Sequence, residues 1–143
     1  MKQSMLIMLV LSLPLLTVNN VRASGISVTD PWIREAPAVA GVLAAFMTIS
    51  NNTKHTVQIN SASGADFTMI EIHRTMLHED MAQMIKQSSL RIEAGESLVL
   101  KPGGYHLMLM KPKRPLRAGD KVNLQLHFAS GETIDVIAEV RKQ

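Results

Sequence analysis

Val122-Asn-Leu-Gln-Leu-His-Phe128 and Ile134-Asp-Val-Ile-Ala-Glu-Val140, separated by a turn at Gly131, decide how this chain folds. In the first stretch Val122, Leu124, Leu126 and Phe128 fall on alternate positions. In the second, Ile134, Val136, Ala138 and Val140 do the same. A period of two puts alternate side chains on opposite faces of a strand, so each stretch reads as a half-buried β-strand and the pair as a hairpin. The same rhythm continues outward. Tyr105 to Met110 follows the strong turn signal Pro102-Gly103-Gly104, and Leu98 to Lys101 precedes it. Phe67 to His73 sets Ile70 and Ile72 on one face and Glu71 and His73 on the other. Val57 and Ile59 alternate, Val42 to Ser50 is a mostly apolar strand, and Ile26 and Val28 alternate before Asp30-Pro31. No convincing amphipathic helix, repeat or low-complexity linker interrupts this series. Short strands at such spacing predict an all-β single domain, an antiparallel β-sandwich or barrel.

The first 23 of the 143 residues stand apart. A positive start at Lys2, an apolar run from Met5 to Val18 and the sequence Val21-Arg22-Ala23 have the layout of a secretory signal peptide cut after Ala23. The expected organisation is therefore residues 1–23 as leader and 24–143 as the domain. The expected location is the periplasm, with no membrane span after cleavage. No cysteine follows the apolar run, so a lipoprotein anchor is not expected. Loss of Lys2 and Arg22 lowers the formal net charge from +3 to about +1, which gives little support to a nucleic-acid partner. The local cluster Lys111, Lys113, Arg114 and Arg117 reads as a solvated loop.

The chain has no cysteine and ten methionines. The first fact excludes thiol oxidoreductases, cysteine hydrolases, cysteine zinc sites and blue-copper carriers, which need a thiolate on the metal. The second needs a cause, because five of the seven methionines beyond the leader fall between Met76 and Met110, with His73, His78 and His106 among or beside them. In Tyr105-His-Leu-Met-Leu-Met110, strand parity sends His106, Met108 and Met110 to one face and the better core residues Leu107 and Leu109 to the other. The His/Met face is thus expected to point away from the core. Glu79-Asp80 is a plausible turn that would bring His73 and Met84 back together. A lone methionine is usually core filler, and a lone strand histidine usually a surface residue. Clustered, they suggest a soft-metal site. Thioethers are soft and uncharged and select Cu(I); they also cannot be lost to disulfides in an oxidising compartment.

The spacing His73-x10-Met84-x21-His106-x-Met108 resembles the signature of the PCu(A)C family of periplasmic copper chaperones. So do Lys101-Pro-Gly-Gly-Tyr-His-Leu-Met-Leu-Met110, Arg114-Pro-Leu, Gly119-Asp120, Val28-Thr-Asp-Pro-Trp-Ile-Arg34 and Phe46 to Asn51. Together they extend the likeness over roughly Val28 to Val140. The resemblance implies a cupredoxin-like β-sandwich with a surface-exposed Cu(I) site whose ligands are His73, Met84, His106 and Met108. It also implies a non-enzymatic chaperone that delivers one Cu(I) to an acceptor protein, the dinuclear copper centre of cytochrome c oxidase or another assembly factor. The sequence departs from the family pattern in the segment between His73 and Met84. Arg74 stands where an acidic residue is usual, and Met81-Ala-Gln83 replaces a Gly-Val-Met run. Met76, His78 and Met81 are therefore alternatives to Met84, and Met110 is a candidate outer contact. Two other functions fit the residues less fully: a copper-dependent redox enzyme acting on a partner, and a β-sandwich ligand-binding or adhesion module with an incidental His/Met face. No nucleophile with an oriented base is apparent.

Overall fold

In the computed structural model, which describes residues 25–142, the C-terminal alternation forms the hairpin expected of it. β9 (Lys121–Phe128) and β10 (Thr133–Arg141) pair antiparallel, and all eight alternating apolar residues are buried. Eight further strands precede them: β1 (Ile26–Arg34), β2 (Val42–Asn51), β3 (Val57–Ser63), β4 (Phe67–His78), β5 (Met81–Lys86), β6 (Leu90–Ile92), β7 (Ser97–Leu100) and β8 (Tyr105–Pro112). The hydrogen-bonded order is β5-β4-β8-β7-β2-β1-β10-β9-β3-β6, and a β3–β4 pairing at Ala62 and Ile70 joins the two sides into a flattened barrel. The all-β single domain expected from sequence is the fold observed. Its pairings are antiparallel except β1 with β10 and β7 with β8. Among the described residues no helix is long and apolar enough to cross a membrane. The expected leader, residues 1–23, lies outside the described residues.

The core is the barrel interior, filled by inward residues of both sides such as Ile33, Ile49, Ile59, Leu107, Leu109, Leu124 and Leu126. Asn51 is also fully buried and ties off the end of β2. Its amide nitrogen donates to the carbonyls of His55 at 2.7 Å and Ile92 at 3.0 Å, and its Oδ1 accepts from the Thr53 backbone N–H at 3.0 Å. Such a buried amide persists only when its polar atoms are partnered. The Asn51-Asn-Thr53 triplet is thus a structural knot.

Two local features shape the outer face of β1, β2, β8 and β4. The first is a bulge in β1. Thr29 pairs with Thr48, but the next pair is Trp32 with Phe46, so one extra residue is inserted where Asp30 takes φ 49° and its carboxylate meets Arg141 at 2.7 Å. An inserted residue reverses the side-chain parity beyond it. Ile26 and Val28 point inward before the bulge; after it Ile33 does, and Trp32 and Arg34 turn outward. The second feature is the β4–β5 hairpin. His78 pairs with Met81 across a two-residue loop in which Glu79 (φ 48°) and Asp80 (φ 63°) both have positive φ, the backbone of a type I′ turn. All six residues of β5 are exposed.

Candidate metal centre

The outer face is built as a ladder of rungs. β8 lies between β4 and β2, and in register His73 faces His106, Glu71 faces Met108 and Met69 faces Met110. On the other flank Ala44 faces Met108 and Val42 faces Met110. Directly opposed residues point to the same side of a sheet, roughly 4.5–5.5 Å apart at Cβ. His73, His106 and Met108 therefore share one face, away from Leu107 and Leu109 in the core.

This face points away from the core as expected, yet it is closed at the imidazoles, where a surface-exposed site was expected. His106 is only 4% exposed and His73 9%. The cover of His106 comes from side chains outside the barrel core. Phe46 stacks at 4.7 Å from Trp32 and lies 6.4 Å from the His106 ring, and the Arg34 guanidinium sits 5.6 Å over Phe46. The β1 bulge is the reason. By turning Trp32 and Arg34 to the outer face, it lets them back Phe46, the ring that shields His106, instead of entering the core.

The two rings are 6.0 Å apart at their centroids and tilted by 32°. Each is held by one nitrogen. His73 Nε2 lies 2.8 Å from Glu71 Oε2, and His106 Nδ1 lies 3.2 Å from the Gly104 carbonyl. A carboxylate and a carbonyl can only accept, so both of these nitrogens carry the proton. The remaining nitrogens, His73 Nδ1 and His106 Nε2, are buried and have no hydrogen-bond partner. A buried polar atom without a partner costs about 1–3 kcal/mol. Two on adjacent rings, each the bare lone pair of an oriented imidazole, have the form of paired metal donors with their outer partners in place. A metal–nitrogen bond of about 2.0–2.1 Å to each ring puts the centroids roughly 5–6.5 Å apart, which the observed spacing satisfies.

The electrostatics keep Glu71 ionised for this role. Its Oε1 accepts from Lys86 Nζ at 2.7 Å, and Lys86 is the register partner of His73 on β5. That ammonium first, and the His73 hydrogen bond second, hold the Glu71 carboxyl below its ordinary value.

Met84 is 61% exposed on β5, yet it lines one cavity of about 210 Å³ together with His106, Met108, Arg34 and Ala44. The structure thus brings Met84, His106 and Met108 to a common space, with His73 beside His106. Hairpin parity separates the alternatives. Met84 faces Thr75 and shares a side with His73, whereas Met76, His78 and Met81 lie on the opposite side with Arg74 and Ile85. Met110 lies on the site's face, one rung beyond Met108. Among the described residues no three His, Asp or Glu side chains are grouped to hold a metal, so an ion at these imidazoles would draw on thioethers.

Sequence reasoning missed Glu71 as the imidazole's partner, Arg34 as a lining residue, and Phe46 as the shield. Glu71 was findable, since Glu-x-His on one strand puts both on one face. The shield was not, because it depends on the bulge.

Comparison with known proteins identifies the family and the fold. The family model described as LpqE-like, for candidate lipoproteins, matches residues 26–140. The protein Lxx21020 of Leifsonia xyli subsp. xyli is 34% identical over 121 residues, which span 84% of this chain and 72% of the relative. The Cu(I) form of DR1885 from Deinococcus radiodurans is 31% identical, with TM-score 0.67 over 88% of this chain and 86% of that structure. The copper-bound PCuAC domain of PmoF2 shares the fold, with TM-score 0.71 at 17% identity over 83% of this chain and 94% of the domain.

Proposed function

The chain belongs to the LpqE-like family of PCuAC-type domains, and from that premise we propose that it binds one Cu(I) and hands it to an acceptor protein. In this reading His73 Nδ1, His106 Nε2 and the thioethers of Met84 and Met108 are the donors. The observation that carries it is the pair of buried, unpartnered imidazole nitrogens, each ring fixed through its other nitrogen, on a face shared with two thioethers. The likeness to the Cu(I) form of DR1885 supports the choice of ion.

The donor set favours Cu(I) over Cu(II) for two reasons. Thioethers prefer the softer ion. All four donors are neutral, and the Arg34 guanidinium lines the same cavity, so a second positive charge on the metal would meet repulsion there. Four protein donors leave no open position for substrate chemistry, which fits carriage better than catalysis. The copper recipient implied by the PCu(A)C resemblance is the dinuclear centre of cytochrome c oxidase. An envelope location accords with the family's description as candidate lipoproteins. The proposed route to that location is export through residues 1–23.

The test is a Cu(I) titration of residues 24–143 followed by X-ray absorption at the copper edge. One equivalent with two nitrogen and two sulfur neighbours is expected. A copper shell of oxygen and nitrogen only, or no stoichiometric binding, would sink the assignment.

A further inference from the structure

The rung beyond Met108 is made of two thioethers. Met69 on β4 and Met110 on β8 are register partners on the outer face, the same face as Met108 and His106. Met69 is 49% exposed and Met110 half-buried. An isolated exposed methionine needs no explanation, but two directly opposed ones, roughly 4.5–5.5 Å apart at Cβ, can turn both sulfurs onto one ion. Their flanks fit the same use. Val42 borders Met110 on the far side, and no carboxylate stands in the rung to recruit a hard cation. Met108 is two residues from Met110 on one strand face, roughly 7 Å along it.

We propose that Met69 and Met110 form a second, weaker seat for a soft monovalent cation, through which Cu(I) enters or leaves the His73/His106 centre by way of Met108. This rests on the reading of that centre as a Cu(I) site. Transfer is ligand exchange with no redox step. A bond to the sulfur of Met110 or Met69 forms as bonds to the imidazoles break, and the ion keeps its single charge. Two thioethers bind a d¹⁰ monovalent ion more weakly than a set containing two imidazoles, so the seat fills second and empties first.

The experiment uses Ag(I) as the air-stable soft probe on residues 24–143 with methyl-labelled methionine, followed by NMR and native mass spectrometry. We expect the first equivalent to shift the Met84 and Met108 methyls. A second, bound at least tenfold more weakly, should shift Met69 and Met110. Met69→Leu, a change of similar volume at a half-exposed site, should abolish the second event and leave the first intact. Met81→Leu, on the other side of the hairpin, should change neither. The seat is overturned if the Met69 methyl does not respond to Ag(I), if Met69→Leu keeps the second equivalent, or if the weaker ion reports at Met76 or Met81 instead. His106→Ala separates the two claims. Loss of the tight event with Met69 still responding supports both. An unaltered tight event refutes the main centre alone, and an Ag(I)-silent Met69 in that variant refutes the seat.

Discussion

The imidazole half of the centre and the thioether on the hairpin differ in how the chain holds them. His73 and His106 sit on paired central strands, buried, each with one nitrogen tied to Glu71 or the Gly104 carbonyl. Met84 projects from β5, an edge strand whose every residue is exposed and which, among the described residues, pairs with β4 alone. A donor fixed before the ion arrives loses little freedom on binding, so the imidazole pair should set the affinity. A donor on a segment with few buried contacts can open at low cost. Under the proposed reading, the rings hold the ion and the hairpin releases it.

The largest expected effect comes from breaking the fixed half. His106→Ala should weaken Cu(I) binding by more than the 10–100-fold that loss of an outer partner typically costs. Chelator competition measures this, and a parent-like affinity would refute the role of the ring. Because His106 is buried beside Phe46, the substitution should also lower the thermal midpoint while leaving the β-sheet circular dichroism in place. Next in size is Glu71→Ala, which leaves both donors but frees the His73 ring. A loss of roughly 10–100-fold in Cu(I) affinity is expected. No change would mean that the Glu71 hydrogen bond does not orient the ring.

Breaking the exposed half should cost less. Met84→Leu is expected to weaken binding by about tenfold, near the low end of that range, and to speed release to a competing chelator. Met76→Leu and Met81→Leu should do nothing measurable, since parity sets them on the other side of the hairpin. If Met81→Leu matched Met84→Leu, the hairpin would have to twist enough to present both sides to the ion.

These contrasts follow what was legible in the sequence. The β9–β10 alternation is a local property, and every residue it marked as buried is buried. The parity of His106 and Met108 is equally local and placed them on one face. Burial of the His106 ring was not legible, because its shield is Phe46, backed by Trp32 and Arg34, on strands far away in sequence. It also depends on the inserted residue at Asp30 that turns two of them outward. The strand β5 was invisible for the opposite reason. Met81 to Lys86 has no buried face, so it has no hydrophobic period, and only the turn at Glu79-Asp80 announces it.

The smallest effect concerns the apo-protein and its pH dependence. The Lys86 ammonium, and after it His73, hold the Glu71 carboxyl below its ordinary 4.5. A carboxyl depressed in the folded state stabilises the fold while ionised. That contribution is fully present above the ordinary value and is lost as pH falls through the lower folded value. Parent and Glu71→Gln should therefore differ in thermal midpoint by a constant amount from neutral pH down to about 5, and the gap should close in more acid solution. Because Lys86 is well exposed, salt should narrow the gap at neutral pH as well. A parent less stable than Glu71→Gln at neutral pH would mean that the carboxylate is a burden on the apo fold, tolerated only for its hold on the His73 ring.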